Sequence, residues 1–227
     1  MRSWSIDRQV GPASELFAGD PLALPSSRSI CVRVVEAPTI VLGSAQHESV
    51  VDGPAARAHA VSVVRRRSGG GAVWLDPSSI VWVDVVVPAG DSLWRADVGE
   101  AFWWLGDAIA SAVGGSAIVH RGAMVTSPWS SLVCFAGLGP GEIVVGGRKV
   151  VGISQKRTRA GALFQVGVLR SWDPTSLLDC LALSSHDRTR AYEVVRDACG
   201  AVPASVTTDH LIDAITTAVN GAGASPG

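Results

Sequence analysis

Arg65-Arg66-Arg67-Ser68-Gly69-Gly70-Gly71-Ala72-Val73-Trp74-Leu75-Asp76 is the stretch on which the reading of this chain turns. Three arginines abut three glycines. Glycine lacks Cβ, so its backbone takes positive φ and lets a ligand come close. Successive exposed N–H groups then make a concavity that binds anions. The arginines add forked donors suited to carboxylate or phosphate. Ala72, Val73 and Trp74 read as a strand leaving the loop, which would hold it rigid. A glycine triplet alone reads as a flexible basic turn. The flanking arginines and the rapid return to strand character favour the anion site.

A second segment points the same way. Only two of the nineteen basic Lys and Arg residues are lysines, Lys149 and Lys156, and both fall within residues 146–156. Glu142 to Val145, Gly146-Gly147 and Arg148 to Ser154 carry a hairpin signal with a two-glycine turn. Simple alternation along the second strand places Lys149 on the face of Val151 and Ile153, with Arg148 opposite, toward solvent. An ammonium on an apolar face requires an anionic partner. A compact ammonium on a flexible stem can follow a reacting oxygen in a way a planar guanidinium cannot.

Around these segments the pattern is strand-rich first and helical last. Strands are expected at residues 31–36, 39–44, 80–87 and 163–169. Residues 80–87 are nearly all apolar, the mark of a strand covered on both faces, and Asp84 interrupts them. A short helix is expected at 49–60, and the clearest one at 97–113, where Val98, Ala101, Phe102, Leu105, Ala108, Ile109 and Ala112 share a face. Trp103 and Trp104 in it read as packing residues. Helices at 174–183, 187–199 and 209–219 close the chain, the last capped by Thr208 or Asp209. The order predicts an α+β fold with a mixed sheet flanked by helices, not regular βαβ repeats.

Composition bounds the function. The chain has 227 residues, is 47% hydrophobic and carries a formal charge of −1. That suits one globular domain and gives no overall field to recruit nucleic acid. Cys31, Cys134, Cys180 and Cys199 show no CxxC pairing and the five histidines no ligand spacing, so no tightly bound metal is expected and reduced thiols in a cytoplasmic protein are. The N-terminus lacks the apolar core of a signal peptide, and no run approaches the ~18 apolar residues of a membrane span. Asn220 to Gly227 are small and Gly-rich and expected to fray.

With both motifs in view, the chain resembles the lipoate–protein ligase A family of the biotin/lipoate ligase superfamily, over roughly Thr39 to Leu169. Arg65 to Val73 is similar to the family's Arg-Arg-x-x-Gly-Gly-Gly-Ala-Val signature, and Arg148 to Ser154 to its Lys-Val-x-Gly-Ser segment. The resemblance implies a biotin/lipoate ligase-like catalytic domain, set at residues 1–183, with 184–227 a C-terminal helical extension packed on it. It implies an enzyme that makes an acyl-adenylate from ATP, with Mg²⁺, and lipoate or octanoate. The acyl group then passes to a lysine of a lipoyl carrier domain, the glycine cleavage H protein or a 2-oxoacid dehydrogenase E2. Arg66, Gly69, Gly70, Gly71, Ala72, Val73 and Trp74 would bind the nucleotide and adenylate. Lys149 would contact acyl carbonyl and phosphate, and Glu142 would assist Mg²⁺. Fixed donors of this kind stabilise charge that develops in the transition state.

The chain departs from that pattern. Leu75-Asp76 stands where ligases have His-Asp, Gly141-Glu142 where they have Asn-Asp, and Val166-Gly167 where they have His-Gly. Residues 184–227 are too few for the separate C-terminal domain of larger ligases, so an accessory chain is a possible partner. Cys134, eight residues before Glu142, is similar to the nucleophile of the cysteine-dependent octanoyl transferases. These take the acyl group from acyl carrier protein as a thioester and need no ATP. Cys134 also reads as an inert core thiol. The third glycine favours the ligase, and the cysteine spacing and the Gln155 segment the transferase. A non-catalytic acyl- or nucleotide-binding relative is the third reading.

Overall fold

The computed structural model describes residues 3–23, 25 and 27–221, with side chains to residue 218. The strands are β1 (Trp4–Gly11), β2 (Arg28–Val35), β3 (Thr39–Leu42), β4 (Ser62–Arg65), β5 (Val73–Leu75), β6 (Ile80–Pro88), β7 (Ile118–Val119), β8 (Ile143–Val145), β9 (Arg148–Arg157) and β10 (Gly161–Leu169). The helices are α1 (Ala13–Leu16), α2 (Gly53–Ala58), α3 (Trp103–Val113), α4 (Thr175–Asp179), α5 (Ser185–Ala198) and α6 (Thr208–Gly221). Seven strands form one sheet in the order β1-β2-β6-β10-β9-β8-β7, and three form a second, β4-β3-β5. Within them β1 runs parallel to β2 and β3 to β4, while the other pairs are antiparallel. The expected mixed-sheet α+β fold is what the structure has.

The layers follow from side-chain alternation. Every residue of β6 is buried, so both faces of the large sheet are covered there. Val81, Val83, Val85 and Val87, with Phe164, Val166 and Val168 of β10, pack under Leu105 and Ile109 of α3 and Leu211 and Ile215 of α6. On the opposite face, Ile80 and Trp82 meet Val41, Val73 and Leu75 of the small sheet, with Phe135 between. Ile40, Leu42 and Ala72 bury the far side of the small sheet against Leu177 and Leu178 of α4 and Ala191 and Val195 of α5. The two long C-terminal helices therefore lie on opposite outer layers.

Several elements differ from expectation for local reasons. The helix expected at 49–60 splits into a 3₁₀ turn at Glu48–Val50 and α2, because Asp52 caps a new start by accepting from Ala55 N (3.0 Å) ahead of Pro54. The 97–113 helix opens as a 3₁₀ turn, Glu100–Phe102, before α3, which Gly114 ends at φ +68°. Thr207 Oγ1 accepts from His210 N (3.2 Å), so the cap of α6 falls before Thr208 and Asp209. Strands β1, β4 and β7 fall outside the expectation; β1 is an exposed edge with few apolar residues to mark it, and β7 has two residues. Residues 222–227, most of the segment expected to fray, lie outside the described residues.

Candidate active site

The glycine loop joins β4 to β5, and each of its glycines answers a different constraint. Gly70 stands at φ +97°, where a Cβ would sit 2.8 Å from Arg66 Nη2 and 3.5 Å from Cys134 Sγ. A Cβ on Gly71 would lie 2.7 Å from Cys134 N and from Val133 C, so this glycine lets the loop cross over the backbone of the cysteine turn. Two hydrogen bonds fix that crossing: Ala72 N donates to Leu132 O (2.7 Å) and Cys134 N to Ala72 O (3.0 Å). The third glycine is therefore required by packing against Cys134 and does not by itself mark a nucleotide site. Gly69 alone has open space where its Cβ would be. Gly69 and Gly70 are exposed, whereas Gly71, Ala72 and Val73 are buried and Trp74 is half-buried.

Arg66 points inward and is only 1% exposed. Its Nη1 donates to Val41 O (3.1 Å), its Nη2 to Gly69 O (2.6 Å) and toward Cys134 Sγ (3.7 Å), and its Nε is buried without a partner. Among the described residues no carboxylate lies within ion-pair distance of it. Burial pushes the guanidinium pKa down, and the interaction with Cys134 works in the opposite direction. Arg65 and Arg67 instead tie neighbouring loops, bonding carbonyls of Gly43 and Gln46 and of Ala18 and Gly19 respectively.

Lys149 reaches the same turn from the other side. The pairing of β8 with β9 slips between Ile143 and Val144: Ile143 faces Val151 but Val144 faces Lys149, leaving Val150 as an extra residue. A bulge of this kind inverts the alternation beyond it. Lys149 thus leaves the face of Val151 and Ile153 and joins that of Gly152, its Cε 3.3 Å from where a Gly152 Cβ would stand. This corrects the face expected from simple alternation. The amine is 3% exposed. Its three protons go to Glu142 Oε2 (2.7 Å), Gly137 O (2.9 Å) and Cys134 O (3.2 Å), and it lies 4.9 Å from the Phe135 ring centre. Desolvation opposes the ammonium, but Glu142 and then Cys134 outweigh it, so the pKa of Lys149 is raised above 10.5.

Glu142 is fully engaged. Its Oε2 also accepts from Gly139 N (2.6 Å) and its Oε1 from Ile153 N (3.0 Å). Three donors on a carboxylate only 5% exposed fit a counter-ion of Lys149 better than a ligand of Mg²⁺. No group of three or more His, Cys, Asp or Glu able to hold a metal occurs among the described residues.

Between the two cations lies a narrow apolar slot. Its floor is the cross-strand pair Gly152 and Gly167, whose missing side chains leave a trough in the large sheet. The Phe135 ring fills that trough, its Cζ 3.2 and 3.4 Å from the positions of the two absent Cβ atoms. The space that remains is about 10 Å³, bordered by Arg66, Cys134, Ser154 and Gln165, which is room for one water. Cys134 is half-buried there, and its thiol is free, like those of Cys31, Cys180 and Cys199. Burial pushes the neighbouring Cys199 thiol up to about 12. His120 turns away, its Nε2 2.8 Å from Ala123 O.

Sequence reasoning singled out Arg66, the glycines, Cys134, Glu142 and Lys149, and the structure gathers them at one place. It missed Gly152, Gly167, Phe135 and Gln165. The signal for the glycines was two isolated glycines in adjoining strands, which mark a close approach.

The profile of the Lipoyl protein ligase A/B catalytic domain matches residues 22–220. The chain belongs to that family. Among solved structures it is similar to a bipartite lipoate protein ligase from Thermoplasma acidophilum, at 16% identity and TM-score 0.72, covering 97% of this chain and 83% of that one. It is also similar to a protein from the same organism assigned as a lipoate protein ligase, with lipoic acid bound (18%, TM-score 0.69, 96% and 83% covered). A third is a lipoate–protein ligase A with bound ATP (18%, TM-score 0.61, 86% and 72% covered). At these identities the likeness establishes the biotin/lipoate ligase-like fold. No curated protein sequence matches. Among the described residues no helix is long and apolar enough to cross a membrane.

Proposed function

We propose that this chain moves an octanoyl or lipoyl group from a thioester donor to a lysine of a lipoyl carrier domain, through a covalent intermediate on Cys134. The observation that carries this reading is Arg66, a buried guanidinium without a carboxylate partner among the described residues, set against Cys134 Sγ. A buried cation is costly unless an anion accompanies it. The sulfur beside it becomes that anion whenever it attacks or leaves.

Cys134 Sγ attacks the carbonyl carbon of an acyl thioester on acyl carrier protein. Sγ gives up its proton as the Sγ–C bond forms, the donor's C–S bond breaks, and the departing donor thiolate takes up that proton through solvent. The neutral amine of the carrier lysine then attacks the same carbon. A C–N bond forms, the C–Sγ bond breaks, the amine sheds a proton and the sulfur returns as thiolate opposite Arg66. No nucleotide is consumed, because exchange between thioesters is near-neutral and amide formation runs downhill. Lys149 fixes the turn that carries the nucleophile and sets a positive field beside it. The acyl chain takes the trough over Gly152 and Gly167, and Phe135 gives way to admit it.

Adenylate formation from ATP is the second reading. It is favoured by the exposed Gly69 and Gly70, next to an Arg65 and an Arg67 that meet no carboxylate among the described residues. The two separate cleanly. Octanoyl-carrier substrate without ATP should support transfer to a lipoyl domain by the wild type and none by Cys134→Ala. Unimpaired turnover in Cys134→Ala, with lipoate-dependent pyrophosphate exchange, would replace the first reading with the second.

A further inference from the structure

Asp84 is the one charged residue in a strand otherwise apolar, and it is buried on the slot face of the large sheet. Its Oδ2 accepts from Arg33 Nε (2.6 Å) and its Oδ1 from Trp82 Nε1 (2.9 Å) and Gln165 Nε2 (3.2 Å). A carboxylate only accepts, so it dictates which end of the Gln165 amide faces it. The other end, Oε1, is thereby turned to the start of the glycine loop, where it accepts from Ser68 N (3.1 Å) and Ser68 Oγ (2.7 Å). Ser68 Oγ in turn meets Ser154 Oγ of β9 at 2.7 Å.

We propose that Asp84 and Gln165 are positioning residues for the glycine loop: Asp84 fixes the polarity of the Gln165 amide, and the amide holds Ser68, hence Gly69 to Gly71, over Cys134. This rests on the reading of Cys134 as the acyl-carrying residue. Neither Asp84 nor Gln165 touches the sulfur. In Asp84→Asn the charged Arg33 donor holds the amide oxygen at the Oδ2 position, so the NH₂ replaces Oδ1, loses the Trp82 bond, donates to Gln165, flips its amide and presents a donor to the Ser68 N–H.

The test follows the loop and the chemistry separately, by the amide resonances of Gly69, Gly70 and Gly71 with the hydrogen exchange of Ser68 and Ala72, and by the rate at which an octanoyl thioester acylates Cys134. Asp84→Asn should shift the three glycine amides and unprotect Ser68 N and Ala72 N, which bond Gln165 Oε1 and Leu132 O, while α3 keeps its protection, and slow acylation roughly 10- to 100-fold. In a Gln165→Leu background the same change should move them no further.

Gln165→Glu covers the case in which Asp84→Asn does not fold. It sets two carboxyl groups about as close as the present 3.2 Å contact, and they cannot both ionise. The protonated glutamic acid keeps a donor toward Asp84 and an acceptor toward Ser68. The ionisable groups facing the pair are Arg33, already bonded to Asp84, Cys31, whose thiol burial raises to about 11, and Arg66 and Cys134, which border the slot with Gln165. Loop order in this variant should hold near about pH 6 and be lost as the pH rises toward about 9. Unchanged glycine amides in folded Asp84→Asn, or a Gln165→Glu loop indifferent to pH, overturn the proposal. If the amides respond but neither wild type nor variant acquires an acyl group, the positioning role stands and the transfer reading falls.

Discussion

The two cations that flank Cys134 are buried to nearly the same degree and are held in opposite ways. Lys149 spends all three protons on protein groups and has its own carboxylate, Glu142, at 2.7 Å. Arg66 has carbonyls, a sulfur and an orphaned Nε. One site is electrically complete within the fold. The other lacks a carboxylate among the described residues, and in the proposed transfer the Cys134 sulfur completes it when it carries charge. Buried strain of that kind is where function, more than stability, is expected.

The largest expected effect is on the complete side. Lys149→Met strands Glu142 in the interior and should lower unfolding free energy by about 3–5 kcal/mol, read by chemical denaturation. Adding Glu142→Leu should recover part of that loss, since it removes the stranded charge but leaves the Gly139 and Ile153 amides without their acceptor. If the double variant is as unstable as the single one, the pair is not the source of the cost.

The incomplete side should behave differently. Arg66→Met forfeits two hydrogen bonds to carbonyls but also removes an uncompensated buried charge, so stability should change by no more than about 1 kcal/mol. Acyl transfer should nonetheless be lost. A collapse of stability equal to that of Lys149→Met would erase the contrast between the two cations. The smallest effect concerns pH. The Lys149 pKa is raised in the fold above its ordinary 10.5. The stability it contributes is therefore fully present at and below that pH and is lost only as the pH climbs through the higher folded value. Thermal midpoints of the wild type should respond there, and those of the Lys149→Met/Glu142→Leu double variant should not.

How much was legible in the sequence follows the same division. Apolar runs announced β6 and β10, and paired glycines announced the β8–β9 hairpin. The motif residues Arg66, Gly69 to Gly71, Cys134, Glu142 and Lys149 were legible by type and order. Which face each one takes was not. The bulge at Val150 depends on how β8 and β9 pair across space, and it alone brings Lys149 to the slot. Nothing in the run Arg65-Arg66-Arg67 marks the middle residue as the one that turns inward where its neighbours do not. The third glycine pointed to a phosphate loop, although its tightest contacts are with the cysteine turn. Asp84 looked like an interruption because its partners, Arg33, Trp82 and Gln165, lie on three strands.

The decisive measurement is the mass of the intact protein after brief exposure to octanoyl acyl carrier protein without ATP. A single octanoyl adduct, released by hydroxylamine, mapped to Cys134 and formed far more slowly by Arg66→Met, is the predicted result. Transfer to a lipoyl domain that proceeds while no acyl group ever appears on Cys134 would contradict it.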